Sequence, residues 1–132
     1  MYKYSQSAVI PYLYNEDVLH VVLVSTNSGN GWVFPKGLLE EGMTPWDSAA
    51  KEALEEAGIT GVVGEVLFDY YEYEKWGGIC EVNVFLLAVR ELAENWDESF
   101  FRKRIILKKE EALKKVKKSQ KETLIKFFNH ME

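Results

Sequence analysis

The sequence is poor in cysteine and in long apolar runs. Cys80 is the only cysteine, so the chain can form no internal disulfide and no cysteine-based zinc site. It lies in an apolar segment, which indicates a buried structural thiol rather than a nucleophile. The longest wholly apolar run, 84–89, is far too short to span a membrane, and the N-terminus lacks the pattern of a signal peptide. We therefore expect a reduced, cytoplasmic protein that makes no membrane contact.

An excess of positive charge is also absent. There are 21 acidic and 16 basic side chains, giving a net charge of −5 and a pI of about 5.2. This balance disfavours general electrostatic binding to DNA or RNA, so we expect no nucleic-acid partner. A small anionic substrate is still compatible with it if metal ions neutralise the contact. No sequence feature indicates an oligomeric state.

The remaining composition is that of a globular protein, with 47% hydrophobic and 28% charged residues. At this length we expect one domain spanning 1–132. Segments rich in Val, Ile, Leu and Tyr predict strands, and from Lys108 onward the pattern is helical. The predicted strands cover residues 7–14, 18–25, 62–73, 79–89 and 102–107.

One helix is well specified at both ends. Thr44 is suited to cap its N-terminus, Pro45 suits the first helical position, and Gly58 ends it. Positions three and four apart share a face, so the helix groups three carboxylates within about one third of its circumference. They belong to Glu52, Glu55 and Glu56.

Two interpretations of this acidic face remain open. Like charges at this spacing destabilise a bare helix, and a hard divalent cation bound by oxygen ligands would offset the repulsion. The alternative is a solvated acidic face that Lys51 partly screens.

Two further groups of side chains suit a phosphorylated or aromatic ligand. The tract 68–76 is rich in aromatic residues, and its Trp76 and tyrosines either stack on a ring or cover a face of the sheet. Lysines between 114 and 126 either form the solvated side of an amphipathic helix or, with Arg102 and Arg104, attract substrate phosphates.

The stretch from Gly37 to Ile59 resembles the Nudix box. That pattern is Gly, five residues, Glu, seven residues, Arg-Glu, an apolar residue, any residue, Glu-Glu, any residue, Gly and an apolar residue. The positions in register are Gly37, Glu52, Ala53, Glu55, Glu56, Gly58 and Ile59, and the lead-in 32–37 also matches members of the family. Two positions depart. Met43 replaces the first Glu of the box, and Lys51 replaces its Arg.

The resemblance implies a fold and an activity. The fold of the family is an α/β/α sandwich around a mixed sheet, and the strand-rich order fits it. Its members cleave a pyrophosphate linkage in a nucleoside diphosphate joined to another group, or in a related phosphoanhydride. Hard oxygen ligands suit Mg²⁺, or Mn²⁺, as the cofactor.

Carried over by position, the resemblance also implies roles for individual residues. Glu52 and Glu56 would be metal ligands, Glu55 a further ligand or supporting acid, and the backbone carbonyl of Gly37 would complete the site. An activated water would attack phosphorus with help from a carboxylate. Glu52 is the first choice for the general base, and Glu98 or Glu94 the second. Lys36 and Arg102 are predicted phosphate contacts, and Trp76 a predicted substrate contact.

The later segment, 80–112, resembles a bacterial branch akin to the diphosphoinositol polyphosphate phosphohydrolases. This likeness points to a dinucleoside polyphosphate or an inositol pyrophosphate as the substrate. One alternative is a pyrophosphatase of 8-oxo-dGTP or another nucleoside triphosphate, with the aromatic tract as the base platform. Another is a binding module that has kept the fold and lost catalysis, as Met43 and Lys51 suggest. No feature favours a purely structural role.

Overall fold

The computed structural model describes residues 1–132 as one eight-stranded sheet with three helices. The strands are β1 (Tyr2–Asn15), β2 (Val18–Ser25), β3 (Trp32–Val33), β4 (Lys36–Leu38), β5 (Ile59–Val63), β6 (Asp69–Lys75), β7 (Gly78–Leu92) and β8 (Arg104–Lys108). The helices are α1 (Pro45–Ala57), α2 (Lys109–Lys115) and α3 (Lys118–Met131). None of them is long and apolar enough to cross a bilayer. The cytoplasmic location stays a prediction.

β1 is the central strand of a mixed sheet. It pairs antiparallel with β2 and β4 and parallel with β7. Every other pairing is antiparallel. β1 begins earlier than predicted because residues 2–12 pair with β7 along its length. It then continues into the turn that leads to β2.

Successive side chains of β1 point to opposite faces of the sheet and therefore pack in two different cores. Val9 packs in the core that contains α1, whereas Ala8 and Ile10 pack in the core beneath α2 and α3. The residues of α1 in the first core are Ala49, Ala53 and Ala57, and those of α3 in the second are Leu124, Phe127 and Phe128. The predicted α/β/α sandwich with a mixed sheet is therefore confirmed, and Cys80 is buried as expected.

The box helix begins and ends where the sequence predicts. Thr44 has an extended backbone, and its side-chain oxygen accepts a hydrogen bond from the backbone N–H of Asp47. Gly58 adopts the left-handed conformation, with φ of 65°, and its N–H donates to the carbonyls of Ala53 and Leu54. Both ends fix the rotation of α1 and thus the directions of its carboxylates.

The single strand predicted over 62–73 is wrong, because this stretch forms two strands. The six steps from Val63 to Asp69 lie opposite only three steps of β7, from Leu87 to Val84. The extra residues must leave the sheet, so β5 ends before β6 begins. β7 itself extends to Leu92, beyond the predicted end at residue 89.

The helical pattern after Lys108 is also divided. Val116 forms a β-bridge with Trp32, and the N–H of Lys117 donates to the Trp32 carbonyl at 2.9 Å. These contacts use backbone groups that a continuous helix would need, so α2 and α3 are separate. The last strand starts at Arg104 rather than Arg102, because Arg102 N–H closes a turn onto the Glu98 carbonyl.

Candidate functional site

The first glycine of the box touches one of its glutamates. Gly37 lies on β4, where it pairs with Ser7 of β1. A Cβ atom added to Gly37 would overlap the carboxyl group of Glu52, which reaches it from α1. Any other residue at this position would displace Glu52, so the glycine is needed for close approach rather than for an unusual backbone angle.

Glu56 is buried between the lead-in strand and the β7–β8 loop. Its Oε1 accepts a hydrogen bond from the backbone N–H of Lys36 at 3.3 Å, and its Oε2 lies 3.8 Å from Nη2 of Arg102. Burial raises the pKa of Glu56 to about 8, although the Arg102 charge opposes the rise. Burial also raises the pKa of Glu52, and the negative charges of Glu55 and Glu98 add to the rise.

This pair of carboxyl groups fits a divalent cation. The negative charges of Glu52, Glu56 and Glu98 repel one another, and burial adds to the cost of ionising them. No group of three or more His, Cys, Asp and Glu side chains is arranged to hold a metal ion. Mg²⁺, however, is commonly held by only one or two carboxylates together with water and substrate phosphates. Glu52 and Glu56, beside the backbone of Gly37, match that donor set.

Glu55 has a different environment from Glu56. Its Oε1 lies 2.8 Å from Nζ of Lys51, and the same nitrogen lies 3.0 Å from Oε1 of Glu40 in the box loop. The carboxylates of Glu55 and Glu40 both raise the pKa of Lys51, so the lysine stays charged. The contact with Glu55 is a charge contact without good hydrogen-bond geometry. Lys51 thus links the box loop to α1, because it contacts Glu40 of the loop and Glu55 of the helix.

The β7–β8 loop brings the later residues to the box. Glu98 N–H donates to the Glu55 carbonyl at 3.1 Å. The Glu98 carboxylate accepts a hydrogen bond from Nε of Arg102 at 2.6 Å, and Nη1 of Arg102 donates to the Ser25 carbonyl at 2.8 Å. Arg102 therefore joins the end of β2, the loop and Glu56. Residues far apart in sequence meet at one place, as the resemblance implies.

A cavity of about 410 Å³ lies next to Glu56. Its basic lining residues are Lys36, Lys75, Arg102 and Lys117, and its other lining residues are Thr26, Asn27, Ser28, Val33, Glu56, Tyr73, Glu74 and Ser119. Burial lowers the pKa of Lys36, with the Lys75 charge adding to the effect. The wall is polar and carries more positive than negative charge, which suits phosphate groups.

Some cavity residues were predicted and others were missed. Lys36 and Arg102 line the cavity, but Trp76 does not. It lies in the β6–β7 turn with φ of 55°, edge-on to Tyr4 at 5.3 Å. Sequence reasoning missed Lys75 and the loop 26–28. The dense hydroxyl and amide side chains of that loop are the signal that would have found it.

Comparisons with known proteins find matches along most of the chain. The NUDIX domain family matches residues 3–127. Nudix hydrolase 16, mitochondrial, of Arabidopsis thaliana is 36% identical over 103 residues, covering 73% of this chain and 57% of that protein. Diphosphoinositol polyphosphate phosphohydrolase 2 of Rattus norvegicus is 34% identical over 97 residues, covering 71% and 52%. The chain thus spans about half the length of the curated relatives it matches.

A solved structure gives the same fold. The crystal structure of the C. elegans Ap4A hydrolase superposes with a TM-score of 0.80 at 21% identity, covering 99% of this chain and 100% of that one. At this identity the likeness concerns the fold alone. The family match over nearly the whole chain and the meeting of Gly37, Glu52 and Glu56 at one site lead to one conclusion: the chain belongs to the Nudix family.

Proposed function

We propose that this chain is a Mg²⁺-dependent hydrolase of a phosphoanhydride bond, acting on a dinucleoside polyphosphate or an inositol pyrophosphate. One observation carries the proposal. Buried Glu56, whose carboxyl group interacts with that of half-buried Glu52, lines a cavity whose wall is rich in lysine and arginine. Phosphoryl transfer needs charge neutralisation and alignment rather than a covalent nucleophile, and these two features supply both.

Each residue has a proposed task. Glu52, Glu56 and the Gly37 carbonyl would hold Mg²⁺, or Mn²⁺, which when bound neutralises phosphate charge and makes water more acidic. Lys36 and Arg102 would neutralise phosphate oxygens from the cavity wall.

The proton of the attacking water needs a carboxylate acceptor. Glu52 is the proposed general base, because its carboxyl group interacts with those of Glu55, Glu56 and Glu98. Glu98 is the second candidate, because Arg102 holds its carboxylate close to Glu56. Glu94 is exposed in the same loop and has less support. Glu55 would act as a supporting acid.

The cavity supports a highly phosphorylated substrate over one held by its base. Tyr73 is its only aromatic lining residue, and Nζ of Lys36 lies over that ring at 5.0 Å. A base could not stack on that face without displacing the lysine. The names of the relatives, which include a diphosphoinositol polyphosphate phosphohydrolase, point the same way. Hydrolysis of 8-oxo-dGTP or a similar nucleotide is therefore the weaker proposal.

A substrate panel tests the proposal. Dinucleoside polyphosphates, inositol pyrophosphates and oxidised nucleoside triphosphates are incubated with Mg²⁺, with Mn²⁺ or with EDTA, and phosphate-containing products are measured. We expect metal-dependent cleavage that Glu52→Gln abolishes. The matched control is Glu41→Gln, which removes an exposed carboxylate of the box loop and leaves activity intact. Equal activity in EDTA and in Mg²⁺ would refute the proposal.

A second candidate function is a binding module with weakened catalysis. Two observations favour it: no three acidic side chains are arranged to hold a metal ion, and the carboxylate of Glu55 is occupied by Lys51. In that case calorimetry would detect Mg²⁺-dependent binding of a panel compound that is never hydrolysed. Turnover of any panel compound with the sensitivity to Glu52→Gln described above excludes this candidate.

A further inference from the structure

The β7–β8 loop, residues 93–103, closes the C-terminal end of α1. The last carbonyls of a helix have no donors within the helix and need other partners. Gly58 N–H satisfies the Leu54 carbonyl at 3.0 Å. The next carbonyls take donors from the loop and from the strand that follows it: Glu55 from Glu98 N–H (3.1 Å), Gly58 from Ala93 N–H (2.9 Å) and Ala57 from Nη1 of Arg104 (2.7 Å).

Arg104 is the side chain that joins these contacts. Its Nη1 also donates to the Ala93 carbonyl at 2.8 Å, so one nitrogen links the end of the helix to the start of the loop. Its guanidinium lies 4.4 Å from the ring centre of Trp96, whose Cβ packs against Gly58. The last turn of α1 has no basic residue of its own, so Arg104 brings the positive charge that this end of the helix dipole favours.

We propose that Arg104 is a positioning residue for the active site. By clamping the β7–β8 loop to the end of the box helix, it fixes Glu98 and Arg102 beside Glu56. Loosening the clamp would let the loop move relative to α1 while the sheet and the helix stay folded. The expected effect on turnover rests on the proposed hydrolase function. The expected effect on the loop does not.

Hydrogen exchange of the backbone amides tests the clamp in protein free of metal and substrate. Arg104→Met keeps the length of the side chain and removes its donors. We expect the Ala93 and Glu98 amides to exchange at least about tenfold faster, while amides in the middle of α1 and in β1 are unchanged. The matched control is Arg90→Met, which changes an exposed arginine of β7 and should leave all these amides as in the wild type.

Kinetics separates positioning from general stability. With a substrate found in the panel, Arg104→Met should lower kcat by about tenfold or more with a smaller change in KM, because misplaced groups act on the chemical step. Arg104→Lys keeps the charge and should recover part of both effects. Trp96→Leu, which removes only the stacking partner, should raise exchange at the same two amides.

Distinct results would overturn the inference. Unchanged exchange at Ala93 and Glu98, or a uniform rise across the sheet, would show that Arg104 is not a specific clamp. If Arg104→Met does not fold, Arg104→Lys and Trp96→Leu carry the same exchange test. Failure of the wild type to hydrolyse any compound would refute the proposed function alone, since the exchange result is obtained without substrate.

Discussion

Glu55 and Glu56 are neighbours on the same helix and have opposite environments. Glu56 is 6% exposed, accepts a hydrogen bond from the backbone of Lys36 and has a strongly raised pKa. Glu55 is half-buried, and its carboxylate lies 2.8 Å from the positively charged Nζ of Lys51. Adjacent residues on a helix point about 100° apart, so one carboxylate faces the sheet and the other the box loop.

The difference shows that the position in a motif does not by itself define a role. Glu55 already has a cation from within the protein, whereas Glu56 shares its surroundings with Glu52 and Glu98. Arg102, at 3.8 Å from Oε2 of Glu56 and committed to Glu98, compensates only part of that negative charge. A divalent cation is therefore expected to act on the Glu56 side of the helix and to affect Glu55 little.

The largest expected effect is the contrast between two matched substitutions. Glu56→Gln should lower kcat/KM by about a thousandfold or more, because it removes a proposed charged metal ligand, whose loss would cost several kcal/mol. Glu55→Gln should lower kcat/KM by about tenfold or less, since Lys51 already neutralises the negative charge of Glu55. Steady-state kinetics on one substrate at saturating Mg²⁺ measures both. Equal losses would mean that the two residues share one role and would break the comparison.

The next largest effect is on stability in the absence of metal. An unfolded glutamate releases its proton near pH 4.5, whereas folded Glu56 keeps it until about pH 8. The unfolded state therefore binds fewer protons between these values, and the free energy of unfolding in EDTA falls as the pH rises through this window. The fall is at most about 5 kcal/mol, taking about 1.4 kcal/mol for each pH unit.

Denaturant unfolding at several pH values measures this effect. Glu56→Gln should reduce the pH dependence and leave the part that comes from Glu52, whereas Glu55→Gln should leave it in place. Mg²⁺ should stabilise the wild type more at pH 8 than at pH 6, because binding requires the ionised carboxylate. A stability that rises with pH in EDTA would contradict the raised pKa.

The parts of the fold that depend on local interactions could be predicted from the sequence, and those that depend on distant residues could not. The limits of α1 depend on local chemistry at Thr44 and Gly58, and the sequence predicts them correctly. The division of 62–73 and the break at Val116 depend on pairing with β7 and with Trp32, which are far away in the chain. Local patterns carry no information about those partners.

The site divides in the same way. The box register predicts that Gly37, Glu52 and Glu56 belong together, and the structure places Gly37 against Glu52. The same register does not distinguish Glu55 from Glu56, because a sequence motif does not indicate which of them is buried. Lys75 was missed because it reaches the cavity from a different strand. Its role depends on how β6 lies against β7.

The smallest expected effect is at Lys51, and it tests the other half of the comparison. Lys51→Met leaves Glu55 and Glu40 without their cation, so the box loop should be held less firmly to α1. Lys51 is exposed, with 44% of its side chain accessible, and water and salt screen the contact. We expect Lys51→Met to have a slightly lower Tm than the wild type at low salt. The difference should disappear at about 1 M salt, where the Debye length is about 3 Å. Lys51→Arg, which restores the residue typical of the Nudix box, should match the wild type or exceed it in both Tm and kcat/KM. If Lys51→Met lost as much activity as Glu56→Gln, Glu55 would have to take a direct part in catalysis that requires its contact with Lys51.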